Sequence, residues 1–100
     1  MGMSDLLSEI VVSIVKKMVD KENEVSASVN VSTKNIIIQI KASKDDLGKI
    51  IGKKGRSIEA LKIIISAIKN TKFSGDPRNV CIEILEDEQT KFEKKYREDR

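Results

Sequence analysis

A two-layer α+β domain, with a three-stranded sheet packed on helices in the order α-β-β-α-α-β, is what this sequence predicts, and three observations carry it. Apolar residues recur every three to four positions near the N-terminus and again between residues 56 and 69, which is the period of amphipathic helices. Between residues 25 and 42, and again between 80 and 85, they recur at every second position, the period of strands. A chain of 100 residues, 39% hydrophobic and 35% charged, supplies one domain with a modest core.

Taken in order, Leu7, Ile10, Val11, Ile14, Val15, Met18 and Val19 line one face of a first helix, with Ser4 as its expected N-cap, since a short hydroxyl side chain can accept a first-turn N–H. After the polar turn at 20–23, Val25, Ala27, Val29 and Val31 alternate with Ser26, Ser28, Asn30 and Ser32. That is a strand with one solvated face. A connection at 33–35 leads to Ile36, Ile38, Ile40 and Ala42 on one face of a second strand, with Ile37, Gln39 and Lys41 on the other. So short a link implies a hairpin. Ser43 and Asp46 have capping-box spacing, and Asp45 with Asp46 favours the start of a short second helix that turns Leu47, Ile50 and Ile51 inward. Gly52 falls where a helix C-terminus needs positive φ. A third helix runs from Arg56 to Lys69, stopped by Asn70, Gly75 and Pro77, and Val80, Ile82 and Ile84 then alternate with Cys81, Glu83 and Leu85. Two helices between the second and third strands allow a parallel return.

Several function classes lose their parts at once. With no histidine and a single cysteine, Cys81, neither zinc coordination nor a His-dependent nucleophile can be assembled. We therefore expect no catalytic residues, no metal, no cofactor and no enzyme. A lone cysteine fits a reducing compartment. Asp5 and Glu9 stand where a secretory signal would be basic, and no apolar run approaches membrane-spanning length. The cytoplasm is the expected location.

Net charge is only +3, but it is unevenly placed. Residues 41–72 hold nine Lys or Arg against Asp45, Asp46 and Glu59, a local +6, so the remainder sums to −3. The basic excess surrounds the stretch "IIGKKGRSI" at 50–58, where Gly52 and Gly55 bracket Lys53 and Lys54. Two glycines there permit a tight turn and the close approach of another backbone. The second glycine opens the third helix, whose first-turn N–H groups and positive dipole end would face the loop beside Lys53, Lys54 and Arg56. The spacing alone fits either an anion cradle or a plain turn between packed helices. A phosphate-binding P-loop does not fit, because three residues rather than four separate Gly48 from Gly52, and a lysine stands where Ser or Thr belongs. The G-x-G-x-x-G dinucleotide fingerprint is absent. The aromatics Phe73, Phe92 and Tyr96 all lie outside the strands, which argues against stacking platforms of the RRM or OB type.

The stretch "IIGKKGRSI" resembles the [Ile/Val]-Ile-Gly-x-x-Gly-x-x-[Ile/Leu] signature of KH domains at every defined position. The predicted element order resembles the type II, prokaryotic arrangement of that family. "DLGKIIGKKGR" and "NVCIEILED" are similar to the small single-KH bacterial RNA-binding proteins of the KhpA type. KH domains clamp the backbone of about four single-stranded nucleotides in the Gly-x-x-Gly loop. The resemblance thus implies an RNA-binding set of Gly52, Lys53, Lys54, Gly55 and Arg56, with Lys49 beside them and Ile51 and Ile58 as aliphatic groove or core positions. It also implies that the second strand presents its edge to the bases, with Ile38 and Ile40 facing core or groove. Single-stranded RNA is the implied ligand, a KhpB-type protein is a candidate partner, and a post-transcriptional regulator or RNA chaperone is the implied role.

The domain is expected over 4–87, and the charged tail over 88–100 is expected as a frayed helix or a disordered segment. In the third helix, Ile58, Leu61, Ile64, Ile65 and Ile68 form one stripe and Ala60, Ile63 and Ala67 a second. One layer of packing needs an apolar arc of only about 100°, so the second stripe is expected to form a homodimer interface. A protein-interaction domain with little RNA binding is the alternative to the RNA-binding module.

Overall fold

The computed structural model describes residues 2–85. Its elements are α1 (Met3–Lys16), β1 (Ser26–Val31), β2 (Asn35–Lys41), α2 (Leu47–Ile51), α3 (Arg56–Lys72) and β3 (Asn79–Leu85), with 3-10 turns at Glu22–Glu24, Lys44–Asp46 and Lys53–Gly55. The tail expected over 88–100, with Phe92 and Tyr96, lies outside the described residues.

Leu7, Val11 and Val15 of α1 sit four apart and are fully buried, as expected for positions stacked on one helical face. The helix starts earlier than Ser4 implied. Gly2 is the N-cap and its carbonyl accepts the Leu6 N–H at 3.0 Å, so Ser4 already lies inside the first turn and cannot cap it. The helix also stops at Lys16, leaving Val19 buried but in the following connection.

β1 and β2 form the antiparallel hairpin, with Ala27 opposite Ile40 and Val29 opposite Ile38. β3 returns parallel to β2, pairing Ile36 with Val80, Ile38 with Ile82 and Ile40 with Ile84. Ile36, Ile38, Ile40 and Ile84 are buried against the helices. The opposite sheet face is polar: Asn30 Nδ2 donates to Gln39 Oε1 at 3.0 Å, and Gln39 Nε2 donates to Glu83 Oε1 at 3.2 Å. Helices therefore cover one face only, which makes two layers.

The strand order β1-β2-β3 corrects one expectation. β2 is central and paired along both edges, so it has no edge to offer to a ligand. The α2–α3 crossover delivers β3 to the side of β2 away from β1, and the free edges are those of β1 and β3. Ile38 and Ile40 are wholly core.

α2 contributes Leu47, Ile50 and Ile51 to the core, and α3 contributes Leu61 and Ile65. α3 runs to Lys72, past the stop expected at Asn70, and ends where the Phe73 N–H donates to the Lys69 carbonyl at 2.8 Å. Lys69 itself is only 3% exposed. Its amine donates to the carbonyls of Asp76 and Arg78, the latter at 2.7 Å, so the buried charge is hydrogen-bonded and ties the end of α3 to the start of β3. It is not part of the basic surface that its sequence position suggested.

Candidate nucleic-acid interface

The loop between α2 and α3 owes its shape to its two glycines. Gly52 has φ 78° and ψ 173°, a region open essentially to glycine alone. A Cβ at this position would lie 2.2 Å from Ser57 Oγ and 2.9 Å from Ser57 N. The first turn of α3 thus packs directly on the Gly52 backbone. Gly55 is buried and left-handed, with φ 75° and ψ 15°, and its N–H donates to the Gly52 carbonyl at 3.1 Å. Between them Lys54 also takes positive φ, at 53°, as the one non-glycine residue to do so among the described residues. The left-handed region disfavours a residue with a Cβ, so Lys54 is held there by the glycines on either side.

No side chain caps α3. The Arg56 N–H is already donated to the Lys53 carbonyl, which removes one of the first-turn donors that the sequence reading left open. The positive end of the 17-residue helix remains directed at the loop. Lys53, Lys54 and Arg56 are exposed around it, and no carboxylate occurs from Lys49 to Ile58. A glycine-shaped backbone, a helix N-terminus and three exposed cations meet at one place, an arrangement suited to an anionic backbone.

Lys49 is placed differently from the other cations. Its amine donates to Asp46 Oδ1 at 3.0 Å and to Asp20 Oδ2 at 3.1 Å. Asp46 is 1% exposed and also accepts the backbone N–H groups of Lys21 at 3.0 Å and Asp20 at 3.4 Å. The Lys21 N–H foremost, then the Lys49 amine, holds the Asp46 carboxyl below its ordinary value. Asp46 and then Asp20 raise Lys49. Nearby, the Asp45 carboxylate raises Lys21 across a 2.9 Å ion pair. This network bolts the α1–β1 connection to the start of α2, the helix that leads into the loop. Asp46, read from sequence as a first-turn acid, is a buried acceptor instead. Ser43 does cap, accepting the Asp45 N–H at 3.3 Å, but it caps the 3-10 turn ahead of α2.

Of the aliphatic pair, Ile51 is buried in the core and Ile58 packs half-buried against it. Ala60, Ile63 and Ala67 are exposed on the face of α3 away from the core, Ile63 at 60%. Ile64, assigned from sequence to the inward stripe, is 49% exposed and belongs with them. A shallow depression lined by Ser32, Thr33, Gly75, Asp76, Pro77 and Arg78 includes no residue of the 52–55 loop. Among the described residues, no group of three acidic or cysteine side chains is placed to hold a metal ion. None of their helices is long and apolar enough to cross a membrane.

The profile of the family described as "KhpA/KhpB, KH domain" matches residues 8–92. This chain belongs to that family. Its relatives include the RNA-binding protein KhpA of Chlamydia trachomatis, 37% identical over 81 residues that span 81% of this chain and 99% of the relative. The RNA-binding protein KhpA of Borreliella burgdorferi is 37% identical over 78% of this chain and 90% of its own length. That of Clostridium perfringens is 37% identical over 79% of this chain and its full length. This is a family of RNA-binding proteins, not of enzymes. Among solved structures, Era in complex with MgGDPNP and nucleotides 1506-1542 of 16S ribosomal RNA superposes with a TM-score of 0.60 at 17% identity. The match covers 87% of this chain and 33% of that one, and it bears on the fold alone. The fold is that of a type II KH domain.

Proposed function

We propose that the chain binds single-stranded RNA by clamping about four nucleotides of sugar-phosphate backbone in the 52–55 loop. In this reading Gly52 and Gly55 let the backbone approach, Lys53 and Lys54 flank the phosphates, and Arg56 adds charge at the head of α3. One observation carries the reading: the loop is shaped by two positive-φ glycines and opens a helix beside three exposed cations, Lys53, Lys54 and Arg56, against a single first-turn acid, Glu59. The names of the relatives support it. Lys49 acts at one remove, because two carboxylates hold its amine, and Ile51 and Ile58 support the loop from beneath. The cellular role is that of a cytoplasmic post-transcriptional regulator or RNA chaperone. The exposed apolar face of α3 joins two copies of the chain, and a KhpB-type protein is a further candidate to occupy it.

Replacing Lys53 and Lys54 by Asp keeps both glycines while turning two cations into two anions. Single-stranded RNA affinity, read by fluorescence anisotropy, should fall by at least about 10-fold. The slope of log affinity against log salt should flatten by about 0.7 for each lost phosphate contact. A folded double variant that binds as tightly as wild type would make the loop a plain turn and leave the protein-interaction reading standing.

A further inference from the structure

The exposed strip on α3 reads the same in both directions. Arg56, Ala60, Ile63, Ile64, Ala67 and Thr71 are all exposed and share one side of the helix. The successive steps between them, four, three, one, three and four residues, form a palindrome. Such spacing belongs to any helix face, but two copies laid antiparallel and centred between Ile63 and Ile64 also match in residue type at the four central positions. Ala60 meets Ala67, Ile63 meets Ile64, and Arg56 meets Thr71. The small alanines allow the helix axes to approach to about 8 Å. No carboxylate lies on the strip. A parallel pair would set the two Arg56 side chains against each other, whereas the antiparallel pair keeps them at opposite ends, about 22 Å apart at about 1.5 Å per residue. The Ala-Ile-Ile-Ala centre and the absence of a carboxylate suit a second copy of this chain as the occupant of the face.

The same register fixes where the two 52–55 loops lie. Gly55 of one copy stands level with Lys72 of the other, so the loops are separated by about 25 Å along the helix axis. The twofold axis runs perpendicular to the paired helices, so the two loops point in opposite directions and RNA passing through them along the helix direction is reversed from one copy to the other. We propose, building on the RNA-clamping and self-association readings above, that the dimer is a bivalent clamp for two antiparallel single-stranded segments. Its ligands are then two unpaired stretches of one RNA that folds back on itself, or one stretch from each of two strands. Spanning about 25 Å takes about seven nucleotides at a stacked rise of about 3.4 Å. With about four nucleotides in each loop, a single bridging strand needs at least about 15.

The test compares wild type with Ile63→Asp, and with Ala67→Glu as an independent second variant, since neither residue touches the loop or the core. Light scattering gives the assembly state and a melting curve checks folding. Trace amounts of labelled oligouridine of about 6 and about 24 nucleotides serve as probes in anisotropy. The dimer should hold the short probe no more than about twofold better per site than the folded monomeric variants. It should hold the long probe at least about 10-fold better, because the second contact forms at high effective concentration. A length series should place the onset near about 15 nucleotides. Wild type that scatters as a monomer would overturn self-association and this inference with it. A dimer without a long-probe advantage over the variants would overturn bivalency and leave RNA clamping and self-association intact. Failure of every protein to bind either probe would instead overturn the RNA-clamping reading on which bivalency rests.

Discussion

Gly52→Ala should be a severely damaging one-methyl change in the loop, and its size follows from two terms. The first is conformational. With φ 78° and ψ 173°, any residue bearing a Cβ is strained by about 1–3 kcal/mol. The second is steric. The added carbon would lie 2.2 Å from Ser57 Oγ, 2.6 Å from Ser57 Cβ and 2.9 Å from Ser57 N. A rotamer change could move the hydroxyl, but the Cβ and the nitrogen move only with the first turn of α3, and overpacking of this kind costs about 1–3 kcal/mol. Together the terms amount to about 3 kcal/mol, a large share of the ~5–15 kcal/mol that stabilises a small domain. At about 4–8 °C per kcal/mol for a chain of this size, melting should come about 15 °C lower. Gly48→Ala is the matched control. Nothing lies within 4 Å of its added carbon and its position is helical, so it should stabilise by about 0.5–1 kcal/mol. Urea and thermal denaturation of both variants measure the contrast. A Gly52→Ala protein within about 1 kcal/mol of wild type would refute the claim that the loop demands glycine there.

Further outcomes follow from the ion-pair network and from α3. Asp46 and Asp76 both have carboxyls held below the ordinary range in the folded state, Asp46 chiefly by the Lys21 N–H and Asp76 chiefly by the Arg78 guanidinium. Their contribution to stability is present above about pH 4, where unfolded carboxylates ionise, and is lost as the pH falls through the lower folded values. Asp46→Asn should therefore lower the urea midpoint at neutral pH and shallow its decline on acidification; an unchanged acid limb would rule out this role. Lys69→Met should destabilise by about 1–3 kcal/mol by leaving the Asp76 and Arg78 carbonyls without their donor; denaturant unfolding at neutral pH would expose an error if the midpoint held. At protein concentrations low enough for both to be monomeric, Ile63→Asp should melt within a few degrees of wild type, because the side chain is exposed and such substitutions change stability by only about 0.5 kcal/mol; calorimetry over a dilution series checks it.

Periodicity in this sequence determined the elements, because burying one face of a helix or strand requires apolar residues at the matching interval. Leu7, Val11 and Val15 on α1, and Ile36, Ile38 and Ile40 on β2, are core residues for that reason. The loop was equally legible, since positive φ is a local demand that only glycine meets without strain, and both Gly52 and Gly55 meet it. The second stripe on α3 was legible as a surplus of apolar residues, except that Ile64, read from the sequence as inward, falls on the exposed side. Only the tertiary structure decided the rest, because those features join segments far apart in the chain. Sheet order made β2 central, a matter of where the crossover lands. Asp46 became a buried acceptor through backbone N–H groups 25 and 26 residues away, and no local pattern marks a carboxylate for such partners. Lys49 and Lys69 carry the same formal charge as Lys53 and Lys54, yet the fold pairs the half-exposed Lys49 with two carboxylates and buries Lys69 on two carbonyls, while it leaves the loop pair exposed. Charge is written residue by residue, but which charges remain available to a ligand depends on what the folded chain sets beside them.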